Sequence, residues 1–221
     1  MRFIIHEQPY ERPLLAGRLR YERDGWPTGA VESWRLTNAV DGYRFLRVDL
    51  DARDAPSGRS YLFHLTLGPA DQPEQLKYRF WGDGLEVSGT VLWDGDALVA
   101  TRRVNGEGYE DEARGAAFWF PAGAGLALLR YHDGASDGVT LRTDTSDPAQ
   151  ALALVETPVT VALGEAGMEA ISGEPLPVRV LSVAWGERRR VVWIDAEGRP
   201  LRLRREDGLA AVAERLMRYT A

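Results

Sequence analysis

The chain has 221 residues, 27 basic and 33 acidic side chains, a formal net charge of −6 and no cysteine. Disulfide scaffolds, zinc–thiolate and iron–sulfur sites and thiol catalysis are therefore excluded, and the acidic balance argues against a broad nucleic-acid or anionic-membrane surface. A hydrophobic content of 44%, with 7 Trp, 8 Tyr and 6 Phe, suffices for a core and argues against global disorder.

The N-terminal run Met1-Arg2-Phe3-Ile4-Ile5-His6-Glu7 falls short of the roughly 7–15 apolar residues of a secretory signal. No stretch reaches the roughly 18–20 of a membrane span. The expectation is a cytoplasmic chain without a membrane segment.

Short runs of alternating character follow, separated by turn residues. Residues 29–37 place Trp34 and Leu36 on one parity and Ser33, Arg35 and Thr37 on the other. After Asp41-Gly42, residues 43–52 place Leu46, Val48 and Leu50 together. Residues 60–67 give the cleanest alternation, with Tyr61, Phe63, Leu65 and Leu67 opposite Ser60, His64 and Thr66. Leu76, Tyr78 and Phe80 form the next apolar face, then Leu85, Val87, Val91 and Trp93, then residues 97–104. Gly82-Asp83-Gly84, Asp94-Gly95-Asp96 and Asn105-Gly106 are hairpin signals between them. Tyr109 and residues 116–120 suggest two more strands.

In the middle, Leu126–Tyr131 reads as either a helical turn or a buried strand, residues 139–144 as a strand, and Asp147-Pro148 as a short helix start or a bend. Strands are expected again at 158–163, 168–172, 177–185, 188–195 and 200–205. In the tail, Leu209, Val212, Ala213, Leu216 and Met217 fit a helical stripe, so residues 209–219 are expected to be a helix, with a returning strand as the alternative. No linker divides the chain, which is read as one domain over 1–221. An echo between residues 91–103 and 191–205 is consistent with an internal half-repeat or with shared hairpin grammar.

Catalytic raw material is sparse. His6, His64 and His132 show no metal-ligand spacing, and Glu86-Val87-Ser88-Gly89 lacks one glycine of a nucleophile elbow. There is no phosphate-binding loop and no dinucleotide fingerprint. Glu110-Asp111-Glu112, Asp94 and Asp96 fall at expected turns and read as solvated acids. The run Arg188-Arg189-Arg190 reads as a solvated strand edge in preference to an anion patch. No catalytic residue, metal site or cofactor is assigned, and the balance leans away from an enzyme.

The aromatics are more informative. On a curved antiparallel sheet they either fill a core or line an apolar cavity. The cavity reading names Trp34, Tyr61, Phe63, Tyr78, Phe80, Trp93, Trp193 and Arg79 as candidate ligand-binding residues. Arg44, Arg79 and Arg102 are candidates for an anionic headgroup near a mouth, although solvated strand faces explain them better.

The hairpin Trp193-Ile194-Asp195-Ala196-Glu197-Gly198-Arg199-Pro200-Leu201-Arg202-Leu203 resembles one found in uncharacterised bacterial β-rich proteins. Those proteins are loosely similar to lipoprotein carriers and to glycolipid-binding-like β-roll domains. The resemblance covers about a fifth of the chain and implies a curved or spiral sheet that encloses a hydrophobic ligand. It brings no catalytic residue.

The expected fold is all-β: a large curved antiparallel sheet rolled into a half-open barrel or spiral β-roll, with one or two short helices. The expected function is non-enzymatic binding of a hydrophobic or amphipathic, lipid- or glycolipid-like small molecule, with no nucleic-acid partner. The alternatives are a structural or interaction module, homo-oligomers included, and a carboxylate-dependent enzyme acting on carbohydrates.

Overall fold

The computed structural model describes residues 7–56, 58–95, 97–115, 117–119, 134–143, 145–171 and 173–219. In chain order the strands are β1 (Arg12–Arg23), β2 (Trp26–Asn38), β3 (Arg44–Asp51), β4 (Ser60–Leu67), β5 (Pro73–Gly82), β6 (Leu85–Asp94), β7 (Ala97–Val104) and β8 (Glu107–Arg114). They continue as β9 (Ala117–Trp119), β10 (Gly134–Leu141), β11 (Leu154–Ile171), β12 (Glu174–Trp185), β13 (Arg188–Ile194), β14 (Pro200–Arg205) and β15 (Leu209–Arg218). The fold is all-β, as the alternation implies.

All fifteen strands belong to one sheet, ordered β8-β7-β6-β5-β4-β3-β2-β1-β15-β14-β13-β12-β11-β10-β9. Every pairing is antiparallel except β9 with β10. The sheet's two edges, β8 and β9, are consecutive in the chain, so the sheet curls until its ends meet. β8 comes against β10 and β11, and the Arg114 backbone N–H donates to Glu156 Oε1 of β11 at 2.8 Å. No ladder joins β8 to β10, which leaves one unsealed seam in a nearly closed barrel.

Tight turns enforce the meander. Asp24-Gly25, Asp83-Gly84 and Asn105-Gly106 each form a two-residue connection with positive φ at both positions. That twist matches the strands they join, and Asp, Asn and Gly tolerate it. On the inner face, successive strands pack ring against chain: Val48 opposes Phe63, Phe63 opposes Tyr78, and Tyr78 opposes Gly89. A β-carbon at Gly89 would collide with the Tyr78 phenol, so glycine is what lets that ring lie over β6.

The buried apolar residues form two clusters. One is built on β2–β8 and β10, around Phe63, Leu76, Val87, Val91 and Leu98. The other is built on β1 and β11–β15, around Leu19, Leu181, Val183, Val192 and Leu203. The β10–β11 connection folds inward to finish the first cluster. Asp147 accepts from the Ala149 N–H at 2.9 Å and caps a 3-10 turn, Pro148–Gln150. Ala151, Leu152 and Ala153 are then buried. Their carbonyls are claimed by the wall: Tyr78 Oη donates to Leu152 O at 3.3 Å and Arg102 Nη1 to Ala151 O at 3.1 Å.

Several expectations need correction. The tail is strand β15, inserted between β1 and β14. Its helix-like spacing comes from a bulge: Leu19 pairs with Ala213 but Arg18 pairs with Arg215, so Glu214 is skipped. Ala211 and Ala213 point inward, and the extra residue resets the parity so that Leu216 does too. The short helices expected reduce, among the described residues, to 3-10 turns at Val40–Gly42 and Pro148–Gln150. The strands expected at 158–163 and 168–172 are one strand, β11, bent by a bulge between Leu163 and Ala166. β1 has no counterpart among the expected strands. His6, Leu126–Tyr131 and His132 lie outside the described residues.

Candidate ligand cavity and its arginine rim

At the end of the roll bounded by the β1–β2 turn, the β3–β4 connection and β13–β14 there is a cavity of about 770 Å³. Inward positions of six strands build its wall: Tyr21 (β1), Ala30 (β2), Leu50 (β3), Tyr61 (β4), Phe80 (β5) and Leu203 (β14). The mouth carries Trp26, Pro27 and Pro56. A short hydrogen-bonded bend shapes the β3–β4 side: Ser60 Oγ accepts from the Ala52 N–H at 3.0 Å, and Ala55 N–H donates to Ala52 O at 3.0 Å. The volume is that of a small-molecule site.

Behind the wall, Glu32 is fully buried on β2. Tyr21 Oη donates to its Oε2 at 2.7 Å, and Tyr61 Oη donates to the same oxygen. Burial first, and then the Glu32 charge, hold both phenols well above their ordinary pKa, so they stay protonated donors. A buried carboxylate requires such donors, because leaving it without them would cost several kcal/mol.

Five arginines dominate the rest of the polar lining, beside Asp24, Thr28 and Thr143. Arg190 is 6% exposed and stacks over Trp185 with its guanidinium carbon 4.9 Å from the ring centroid. Burial and then the charge of Arg205 lower its pKa to about 10. Arg205 binds Asp207 at 2.9 Å, Arg23 binds Asp207 at 3.3 Å, and Arg59 binds Asp83 at 2.8 Å. Arg188 Nη1 donates to Thr143 Oγ1 at 3.4 Å. The run Arg188-Arg189-Arg190 is thus no solvated edge: strand parity turns Arg188 and Arg190 to the cavity and leaves Arg189 exposed.

Of the residues named from sequence, the cavity brings together Tyr61 and Phe80. Phe63 is fully enclosed in the first apolar cluster, and Trp93 packs against that cluster's edge. Tyr78 and Trp34 belong to the same cluster and border more open hollows of about 650 and 600 Å³ respectively. Trp193 packs against the second cluster between Arg202 and Arg204, 5.8 and 5.7 Å from its ring. Arg79 pairs with Glu86 at 2.7 Å. Arg44 pairs with Asp71, and Arg102, far from a solvated face, is buried against Asp111 at 2.6 Å with Tyr109 beneath it. None of these three arginines lines the cavity.

Sequence reasoning missed Tyr21, Glu32, Arg190 and Arg205. A signal existed: Glu32 shares the parity of Ala30, Trp34 and Leu36, Arg190 that of Val192 and Ile194, and Arg102 that of Ala100 and Val104. A charge on the apolar parity of a strand is a buried charge, and buried charges are held by partners or face a cavity. Glu110-Asp111-Glu112 sits within β8 and not at a turn. No group of three or more metal-ligating side chains occurs among the described residues. No helix among them is long and apolar enough to cross a membrane.

No family model and no curated protein matches the chain. One solved structure, described as a putative lipoprotein from Parabacteroides distasonis, is similar at 4% identity and a TM-score of 0.35, over 93% of this chain and 96% of that one.

Proposed function

We propose that the protein binds a hydrophobic or amphipathic small molecule in the cavity between β1–β5 and β13–β15. The observation that carries this reading is the cavity itself, about 770 Å³. The first apolar cluster, by contrast, is filled in part by the inward connection, which adds Ala151 and Leu152 to it. Leu50, Phe80 and Leu203 offer an apolar wall, and Tyr61 and Tyr21 present rings whose hydroxyls are already bonded to Glu32. Such a surface gains from covering an apolar body at about 25 cal/mol per Å². Of the candidate residues named from sequence, Tyr61 and Phe80 belong to this site.

Native mass spectrometry of the purified protein, with organic extraction and saturable uptake of the neutral dye Nile red, tests the reading. Phe80→Arg is expected to abolish dye uptake while leaving the fold intact. A protein that carries no extractable amphiphile and takes up dye only non-saturably overturns it.

A further inference from the structure

The polar side chains around the cavity largely satisfy one another. Arg23 and Arg205 share Asp207, at 3.3 and 2.9 Å, and Arg59 holds Asp83 at 2.8 Å. Arg188 donates to Thr143, and Arg190 lies over the Trp185 ring. Tyr21 and Tyr61 give their hydroxyls to Glu32, and Thr28 Oγ1 donates to Tyr21 O at 3.1 Å. With Asp24, exposed at the β1–β2 turn, the carboxylates nearly balance the arginines. One apolar side chain is left uncovered. Trp26 lines the cavity yet is 78% exposed, and its ring meets no other ring or cation among the described residues. We propose that this cavity takes an uncharged ligand, and that Trp26 is the side chain that covers it at the mouth. The inference rests on the binding function proposed above; it adds the class of ligand and a residue that holds it.

The selection against charge follows from the pairing. An ionic head brought inside must shed its water, and it is met only by drawing a guanidinium or a carboxylate away from its present partner. A buried charge left without its partner is costly. An uncharged body disturbs none of these pairs. What the wall presents to it is ring and chain surface: the phenol hydroxyls of Tyr21 and Tyr61 are turned to Glu32, which leaves their rings, with Leu50, Phe80 and Leu203, to line the space.

Trp26 stands where it can complete that surface. Asp24-Gly25 turns the chain with positive φ at both positions and sets Trp26 opposite Arg23. Arg23 ties the turn to the β14–β15 connection through the Asp207 carboxylate and through the Asp207 carbonyl, the latter at 3.0 Å. On the other flank, Gly29 lies against the β3–β4 connection so closely that a β-carbon there would come within 2.8 Å of the Asp54 carbonyl oxygen. The backbone at the mouth is thus braced on both sides while the indole stays open to water. A Trp side chain has about 150–250 Å² to bury, and its N–H can remain hydrated while the ring lies on a ligand.

The test is isothermal titration of the full chain with decanol, decanoate and decyltrimethylammonium, the two ions below their micellar concentrations. Decanol is expected to bind at least tenfold more tightly than either ion, with an affinity that moderate added salt hardly changes. Trp26→Ala should weaken decanol at least fivefold and keep the urea midpoint of the parent, because so exposed a ring adds little to the packing of the fold. Trp26→Phe should retain most of the affinity. Bound decanol should also shield the parent's tryptophan fluorescence from acrylamide, and the same ligand should leave the quenching of Trp26→Phe unchanged. Either ion binding as tightly as decanol overturns the selection and leaves the cavity reading standing. Parent affinity for decanol in Trp26→Ala overturns the role of Trp26. No binding by any of the three overturns this proposal and the cavity reading together.

Discussion

Glu11 grips Arg47 with both carboxylate oxygens: Oε1 accepts from Nη2 at 2.6 Å and Oε2 from Nη1 at 2.7 Å, and the two side chains are 1% and 7% exposed. Thr37 Oγ1 donates to Oε2 at 2.5 Å and the Gln8 N–H to Oε1 at 3.2 Å. Burial alone would raise the Glu11 pKa, but the hydrogen bonds from Arg47, Thr37 and Gln8 outweigh it and lower it. The pair fastens the segment before β1 to β2 and β3. Removing one partner strands a buried charge, so Glu11→Ala is expected to cost about 3–5 kcal/mol. Asp51→Ala, which breaks an exposed pair with Arg53, should cost about 1 kcal/mol or less. Urea unfolding of both variants measures the contrast.

His64 stands opposite Arg47 in the β3–β4 register, edge-on to Phe45 with ring centroids 5.3 Å apart. Its Nε2 is buried without a hydrogen-bond partner among the described residues. Burial, then the Arg47 charge, lowers its pKa to about 4, with Lys77 adding to the effect and Glu11 opposing it. The native state therefore binds fewer protons than the unfolded chain, whose histidine titrates near about 6.5. Stability contributed by neutral His64 is complete above about pH 6.5 and is lost as the pH falls toward 4, by about 2 kcal/mol at pH 5. Glu11, also lowered, removes further stability below its ordinary range. Urea midpoints between about pH 7.5 and pH 5 should drop for the native chain, and His64→Phe should flatten that drop. An equal drop in the variant counts against the assignment.

The strands that read cleanly are those whose alternation is unbroken: β4, with Tyr61, Phe63, Leu65 and Leu67 all buried, is the plainest. β1 was illegible because bulges interrupt its pairing with β2 after Pro13 and after Arg20, so Leu14, Leu15, Ala16, Leu19 and Tyr21 never settle into one period. β15 mimicked a helix for the same reason, through the skipped Glu214. At the site, Tyr61 and Phe80 were visible as rings on apolar faces. That Arg190 meets Arg205, or Glu32 meets Tyr21 and Tyr61, depends on which strands lie side by side. That order is set by closure of the whole sheet, not by any local pattern.

Tyr21 and Tyr61 both donate to Glu32 Oε2, so their contributions are coupled. Tyr21→Phe or Tyr61→Phe removes one hydrogen bond to a charged acceptor and is expected to cost about 1.5–3 kcal/mol. The double variant leaves that carboxylate oxygen without either phenol, and its cost should exceed the sum of the singles by at least about 0.5 kcal/mol. A double-mutant cycle from urea unfolding measures the excess. Strict additivity would mean that the two phenols act on Glu32 independently.

Gly17 of β1 lies directly opposite Trp34 of β2, and a β-carbon at Gly17 would come within 2.5 Å of three indole atoms, a severe clash. Trp34 is 6% exposed and packs in the first apolar cluster, so a ring displaced toward the hollow it borders gives up contacts of that cluster. Gly17→Ala should therefore cost about 1–3 kcal/mol by overpacking. Trp34→Leu, costly alone because it empties a buried site, should recover part of the loss when combined with Gly17→Ala, since the smaller side chain clears the new methyl group. Gly167 of β11 is the control: nothing lies within 4 Å of a β-carbon there. Ala at that position should be neutral or stabilise by up to about 1 kcal/mol by restricting the unfolded chain. Paired urea curves, with tryptophan fluorescence reporting the Trp34 environment, separate the two glycines. A Gly17→Ala variant as stable as the parent would show that the indole is not held over that strand.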